Sequence, residues 1–152
     1  MNNKITSLKE KFRVALTSTA KVISEDFTLK NGKLENSNNY EIDDIKNPND
    51  FIRMRADTDS EALKKKFSNN LIHKKNLPSN STLRVLYDIA EKVRCESLGG
   101  QMLKGIEKNF NKNYSLMINL KKKDQLKTKE DVPVAEAFEL YMLKNFHQIK
   151  LN

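Results

Sequence analysis

Apolar residues recur at helical spacing through the middle of the chain, and this pattern constrains the fold most strongly. One face carries Leu83, then Leu86 and Tyr87, then Ala90, Val93 and Leu98 at helical spacing, which predicts a helix that buries this face. A second stripe follows at residues 102–117, from Met102 and Leu103 through Ile106, Phe110 and Tyr114 to Met117. Two consecutive amphipathic helices predict a mainly α fold.

Start and stop signals place further helices around this pair. Ser7 and Glu10 match a capping box that opens a first helix, which we expect to end near residues 24–26. Asn47-Pro48 predicts a second start, with a helix from Phe51 to about residue 71 and a break near residues 57–59. Residues 77–81 interrupt the helical pattern. Asp131 is predicted to cap a last helix, which has Pro133 near its start.

Three segments are predicted to be irregular or extended. Asn31-Gly32 is typical of a tight turn, so residues 27–42 are predicted to form a small β-hairpin element. Gly99-Gly100 is predicted to end or bend the helix before it, and a close packing contact is expected at Gly105. Residues 119–131 are rich in lysine and are predicted to form a surface connection. The expected fold is a single helical domain of about five helices with this β element.

Length and composition indicate where such a chain works. At 152 residues one domain is expected over 1–152. No apolar run is long enough to cross a membrane, and the first residues lack the apolar core of a signal peptide. Cys95 is the single cysteine, so no disulfide within the chain is possible. These features predict a cytoplasmic protein without a membrane partner.

The net charge of +8 arises from 28 basic and 20 acidic residues. Its basic runs lie at residues 64–66, 73–75 and 121–123. Such runs suit phosphate backbones or an acidic protein partner, and they are also typical of an ordinary solvated surface. Lysine supplies most of the charge, and no aromatic residues are interleaved to stack on bases. A basic helical nucleic-acid-binding protein is therefore the alternative prediction, with nucleic acid the less favoured partner.

The residue types needed for independent chemistry are sparse. None of the four glycines lies in a phosphate-binding loop pattern. His73 and His147 stand alone in the sequence, and one imidazole does not make a metal site. Cys95 is predicted to be a buried structural residue. We therefore predict no catalytic, cofactor-binding or metal-binding residue in this chain.

Charged residues at helical spacing are the most interesting polar set. Glu91 and Arg94 are three positions apart and can pair on one helix flank, whereas Glu96 faces elsewhere. Arg55 and Asp59 are four positions apart. These charges either form a buried network or docking surface, or they are surface ion pairs worth about 0–1 kcal/mol each.

Two segments carry a family resemblance. The first runs from Arg55 through Ala56-Asp57-Thr58-Asp59-Ser60 to Leu63, and on to His73. The second runs from Leu86 to Gly99, and its spacing of charged and small residues continues to Asn109. In the second segment the spaced residues are Glu91, Arg94, Glu96, Leu98, Gly99, Met102, Gly105 and Asn109. Together they resemble the N-terminal domain of the CobT subunit of aerobic cobaltochelatase, most closely over residues 53–110.

The resemblance implies a role in cobalamin biosynthesis. It implies a chain that assembles with an AAA+ ATPase subunit and a large catalytic subunit, which insert cobalt into a corrin ring with ATP and Mg²⁺. Cofactors would be handled by that complex. The family's acidic linker and von Willebrand factor A-type domain have no counterpart here, so a front domain alone is expected. Ala56, Thr58, Ser68 and Asn69 depart from the family pattern, which leaves room for another metal or client.

The resemblance also implies an interaction or structural network for the charged residues. Its members are Arg55, Asp59, His73, Glu91, Arg94, Glu96 and Asn109. The leading hypothesis is thus a protein–protein interaction domain of a chelatase subunit. The competing hypotheses are the basic nucleic-acid-binding protein and an enzyme that handles corrin or cobalt directly.

Overall fold

The computed structural model describes residues 2–29, 45–121 and 132–147. These residues contain six helices and no strand. The helices are α1 (Asn2–Ser24), α2 (Pro48–Phe67), α3 (Asn70–Lys75), α4 (Ser81–Met102), α5 (Lys104–Lys121) and α6 (Val134–Phe146). The mainly α prediction is confirmed. The chain divides into two compact units, Met1–Lys66 and Phe67–Asn152.

The first unit is built on α1 and α2. Leu16, Ile45 and Met54 form its buried cluster, and Phe12 packs against them. The rings of Phe12 and Phe51 lie 4.6 Å apart between centroids. This aromatic contact joins α1 to α2 at the edge of the cluster, where Phe51 stays 36 % exposed.

The start of α2 confirms its sequence signal. The side chain of Asn47 accepts the N–H groups of Asn49 and Asp50 at 2.9 and 3.2 Å. The Asp50 carboxylate in turn accepts the N–H of Asn47 at 3.0 Å, which completes a reciprocal cap. The helix then runs unbroken to Phe67, so the predicted break at residues 57–59 and the predicted end near residue 71 are both wrong.

The predicted capping box of the first helix is also wrong. Helix α1 begins at Asn2, so Ser7 lies inside it. The Glu10 carboxylate instead accepts a hydrogen bond from Arg13 Nε at 2.9 Å, one turn further on. Glu10 thus forms an i,i+3 ion pair on the helix surface instead of the predicted cap.

The predicted β element near residues 27–42 is not supported. Residues 27 and 28 form a turn, and residues 30–42 of that prediction lie outside the described residues. Glu25 ends α1 with φ 57°, the left-handed conformation in which helices commonly stop. Asp26 then accepts the N–H of Thr28 at 2.9 Å and pairs with Lys65. These side-chain contacts fix a turn where the sequence predicted a strand.

In the second unit, α4 packs against both α5 and α6. The buried apolar residues of this unit are Val93, Cys95, Ile106, Phe110, Tyr114 and Leu143. Asn80 caps α4 by accepting the N–H of Leu83 at 3.1 Å, which confirms the interruption at residues 77–81. Leu83 itself is exposed, so the predicted apolar face enters the core only in the second half of α4.

The structure differs from the predictions made for Gly99-Gly100 and for Gly105. Helix α4 continues through Gly99-Gly100 and ends at Met102. A Cβ placed on Gly100 would lie 3.4 Å from Glu107 Cβ, whereas a Cβ on Gly105 would meet no atom within 4 Å. The close approach expected at Gly105 therefore occurs at Gly100, where α4 faces α5. Asp131, the predicted cap of α6, lies outside the described residues, and Pro133 precedes the helix.

Candidate functional site

Helix α4 carries polar residues on two different flanks. On one flank they meet α3, and on the other they meet α5 and α6. We name the first group the outer cluster and the second the inner cluster. The outer cluster consists of His73, Tyr87, Asp88, Glu91 and Arg94. The inner cluster consists of Glu96, Tyr114 and His147.

The outer cluster is centred on a bidentate ion pair. Arg94 donates from Nε to Glu91 Oε2 at 2.7 Å and from its terminal nitrogen to Glu91 Oε1 at 2.8 Å. The same guanidinium donates to the backbone carbonyl of Phe67 at 2.9 Å. Three hydrogen bonds therefore hold a side chain that is 47 % exposed. The predicted pairing of Glu91 with Arg94 is confirmed.

The ion pair shifts the titration of both partners. Hydrogen bonds from Arg94 lower the pKa of Glu91 to about 2, against the opposing effect of partial burial. The same hydrogen bonds raise the pKa of Arg94 above its ordinary value. Both groups are thus charged throughout the physiological pH range.

His73 connects α3 to this flank of α4. Its ring stacks on Tyr87 with the centroids 4.7 Å apart. Its Nε2 lies 2.9 Å from Asp88 Oδ1. The histidine that stood alone in the sequence therefore lies in a polar cluster, where it anchors a short helix to a long one.

Cys95 lies beside the ion pair and is fully buried. Its Sγ is 3.9 Å from Glu91 Oε1 and 3.7 Å from an Arg94 nitrogen. The prediction that it is a buried residue is confirmed, and its packing suits the small apolar character of a thiol.

The inner cluster is centred on a buried carboxylate. Glu96 is 1 % exposed, and the Tyr114 hydroxyl donates to its Oε2 at 2.6 Å. His147 Nε2 lies 3.6 Å from the same oxygen, which is too long for a hydrogen bond. His147 also packs edge-on against Phe110, with ring centroids 5.8 Å apart. The prediction that Glu96 faces away from the Glu91 pair is confirmed.

Burial governs the charge of His147. Removal from water lowers its pKa to about 4, and the nearby Lys92 ammonium acts in the same direction. The imidazole is therefore neutral at pH 7. Lys92 lies 5.5 Å from the centre of the Tyr114 ring and 3.5 Å from a Glu139 oxygen on α6. His147 Nε2 and Asn113 Oδ1 are buried without a hydrogen-bond partner.

The structure brings together only some of the predicted network. His73, Glu91 and Arg94 share the outer cluster, and Glu96 lies in the inner cluster. Asn109 is half-buried on α5. Arg55 is exposed and Asp59 is buried, both on α2 in the first unit. The pairing predicted for Arg55 with Asp59 stays a prediction.

Sequence reasoning missed four residues of the two clusters. Tyr87 and Tyr114 were assigned to apolar stripes, although a tyrosine in such a stripe carries a hydroxyl that needs a partner when buried. Asp88 lies one turn before Glu91, which was a usable signal for the outer cluster. His147 was seen only as an isolated histidine, because nothing in the sequence places it beside Glu96.

Two further properties concern the described residues only. They contain no group of three or more His, Cys, Asp or Glu side chains placed to hold a metal ion. No helix among residues 2–29, 45–121 and 132–147 combines the length and apolar character that a membrane crossing requires.

The described residues thus form an α-helical protein, and α4 of its second unit carries two organised polar clusters. The model of the family described as cobalamin biosynthesis protein CobT matches residues 6–146. The chain therefore belongs to the CobT family. No curated protein and no solved structure matches it.

Proposed function

We propose that this chain is a protein–protein interaction domain of a chelatase complex in cobalamin biosynthesis. In this proposal it assembles with an AAA+ ATPase subunit and a large catalytic subunit, which together insert cobalt into a corrin ring with ATP and Mg²⁺. The observation that carries the proposal is the family match, which extends over residues 6–146. The complex supplies the chemistry, and this chain supplies contacts in the cytoplasm.

The outer cluster supports a docking role through its geometry. Arg94 keeps nearly half of its surface in solvent while three hydrogen bonds hold its guanidinium in place. An exposed charge that is already ordered loses little conformational entropy when a partner binds. Arg55 presents a second exposed guanidinium on α2. Both residues belong to the segments that resemble the family.

Co-purification tests this proposal. The tagged chain would be expressed with the AAA+ chelatase subunit of the same organism and purified at low salt, with and without ATP and Mg²⁺. We expect a stable complex in at least one nucleotide state. Charge reversals at Arg94 and Arg55 should weaken it, whereas Lys112→Glu, on the exposed side of α5, should not. The absence of a complex in every state would reject the proposal.

The alternative is a basic nucleic-acid-binding protein, which the net charge of +8 favours. Binding of this kind weakens steeply with salt, because each neutralised phosphate releases counterions. A gel-shift titration of duplex DNA and single-stranded RNA at low salt separates the two functions. A salt-dependent shift would favour the alternative, and its absence would remove it.

A further inference from the structure

Helix α3 is a short helix that packing does not explain. It spans six residues, Asn70–Lys75, and none of them is buried. Isolated helices of this length are unstable in water, and most helical stability in proteins comes from a buried face. Leu71 is 81 % exposed and Ile72 is 59 % exposed. The helix therefore presents its aliphatic side chains to solvent rather than to the core.

Local contacts nevertheless fix the conformation of α3. The Asn69 side chain accepts the N–H groups of Leu71 and Ile72 at 3.0 and 3.2 Å. At the other end, the Asn76 side chain donates to the carbonyl of Ile72 at 2.9 Å. His73 attaches the middle of the helix to Tyr87 and Asp88. The chain thus holds two exposed aliphatic residues in a defined arrangement.

An exposed leucine of α4 lies one turn from the residue on which His73 stacks. Leu83 lies one helical turn before Tyr87, on the flank that His73 contacts. It is also largely exposed. We define the α3 patch as Leu71, Ile72, Lys74, Lys75 and Leu83. Exposed apolar surface rimmed by polar residues is characteristic of interaction sites.

Basic side chains predominate around the α3 patch, and the carboxylate of Asp88 lies against His73. Lys74 and Lys75 are exposed on α3, and Arg84 is exposed next to Leu83. The sequence from Phe67 to Tyr87 contains no aspartate or glutamate. A ligand of the patch must therefore combine negative charge with apolar side chains that fill the space around Leu71 and Ile72.

We propose that the α3 patch binds an acidic amphipathic segment of a partner protein. Aliphatic anchors with a basic rim fit a helix that carries leucine-type residues on one face and carboxylates beside them. A nucleic acid backbone would leave Leu71 and Ile72 without apolar contacts. The inference deepens the proposed function, on which it rests, by naming the docking surface and the chemistry of its partner.

A synthetic peptide tests the patch without the chelatase. The peptide is a helix of about 15 residues, with leucines on one face and glutamates elsewhere. It is titrated into the ¹⁵N-labelled full chain and followed by NMR. The comparison ligands are a matched peptide with lysine in place of glutamate, a DNA duplex and vesicles of phosphatidylglycerol. We expect the leucine–glutamate peptide alone to shift the amide signals of α3 and of residues near Leu83.

Matched variants locate the interaction. Leu71→Glu and the double variant Lys74→Glu/Lys75→Glu should each weaken peptide binding about tenfold or more. Lys108→Glu/Lys112→Glu removes two exposed lysines of α5 and should leave binding unchanged. Val134→Glu is the control for an equally exposed apolar residue on α6. The variants change solvent-exposed positions, and circular dichroism checks that each retains its helices.

The outcomes separate the two proposals. Peptide binding at the α3 patch without binding of the AAA+ subunit would support this inference and reject the proposed function. The opposite result is an AAA+ complex that the α3 variants leave intact, together with no peptide binding. It would support the proposed function and overturn this inference. Tighter binding of the DNA duplex or the anionic vesicles at the same residues would also overturn the inference.

Discussion

The two flanks of α4 hold carboxylates in opposite environments. On the outer flank, Glu91 meets Arg94, and the two side chains are 16 % and 47 % exposed. On the inner flank, five positions further along the chain, Glu96 is 1 % exposed and accepts a hydrogen bond from Tyr114. The same residue type therefore sits at the surface on one side of the helix and in the core on the other.

Spacing alone therefore does not rank the importance of a charged residue. Solvent screens the outer pair, so its contribution to the free energy of unfolding is small. The inner carboxylate is buried, so the loss of a hydrogen bond to it costs more than the same loss at the surface. We therefore assign the inner cluster to stability and leave the outer flank available for a partner. Four predictions test this division.

The largest effect is expected from Glu96→Ala. The change leaves the Tyr114 hydroxyl without its acceptor and opens a cavity among packed helices, so we expect it to lower the free energy of unfolding by about 3 kcal/mol or more. Glu91→Ala on the outer flank should lower it by about 1 kcal/mol. The chain contains no tryptophan, so urea unfolding is best followed by far-ultraviolet circular dichroism. Equal losses for the two variants would contradict the assignment of stability to the inner cluster.

The second prediction concerns pH. In the folded chain the pKa of His147 is about 4, against 6.5 for the ordinary group, because the imidazole is buried. The unfolded chain binds the proton first, so the free energy of unfolding decreases as pH falls from about 6.5 to about 4. The decrease reaches up to about 3 kcal/mol. Lys92, Glu96 and Tyr114 face this histidine from α4 and α5.

His147→Gln provides the control for this pH dependence. The variant cannot titrate in this range, so its stability should change less between pH 6.5 and pH 4 than that of the parent chain. Glu91 loses its contribution in a lower window, as pH falls from 4.5 toward about 2. Parallel pH profiles for the parent and the variant above pH 4 would show that His147 is not the titrating group.

The sequence predicted the parts of this picture that depend on local order. Helical spacing gave the pairing of Glu91 with Arg94 and the divergence of Glu96, because both follow from the 100° step between helical residues. Asn47-Pro48 predicted the start of α2 because the asparagine side chain accepts free N–H groups of the first turn. The predicted break at residues 57–59 failed because a helix can tolerate polar residues on its solvated or paired side.

The remaining features depend on contacts between distant residues. Tyr114 and His147 are 18 and 51 positions from Glu96, and nothing in their local pattern indicates that they converge on one carboxylate. The β element near residues 27–42 was predicted from Asn31-Gly32 alone, whereas Asp26 and Lys65 fix the turn that the described residues show. The close contact predicted at Gly105 occurs at Gly100, because the sequence does not reveal which glycine lies where α4 meets α5.

The third prediction is a matched pair of hydroxyl deletions. Tyr114→Phe removes the donor to Glu96 Oε2 and should lower the free energy of unfolding by about 2 kcal/mol. Tyr87→Phe makes the same change on the outer flank. There the ring of Tyr87 stacks on His73, and the phenylalanine keeps that contact. Its effect should stay within about 0.5 kcal/mol. A larger loss at Tyr87 than at Tyr114 would contradict the division of roles.

The smallest effect is expected from Arg94→Lys. Lysine keeps the positive charge but cannot reproduce the bidentate contact with Glu91 and the bond to the Phe67 carbonyl at the same time. We expect a loss of about 0.5–1 kcal/mol in urea unfolding at low salt, and a smaller loss near 1 M NaCl, where exposed charges are screened. Lys112→Arg, an exchange at an exposed site of α5, should change nothing measurable. A loss that matched Glu96→Ala and persisted in high salt would mean that Arg94 serves the fold. The outer cluster would then join the inner one as a stability element, and the α3 patch would be left as the docking surface.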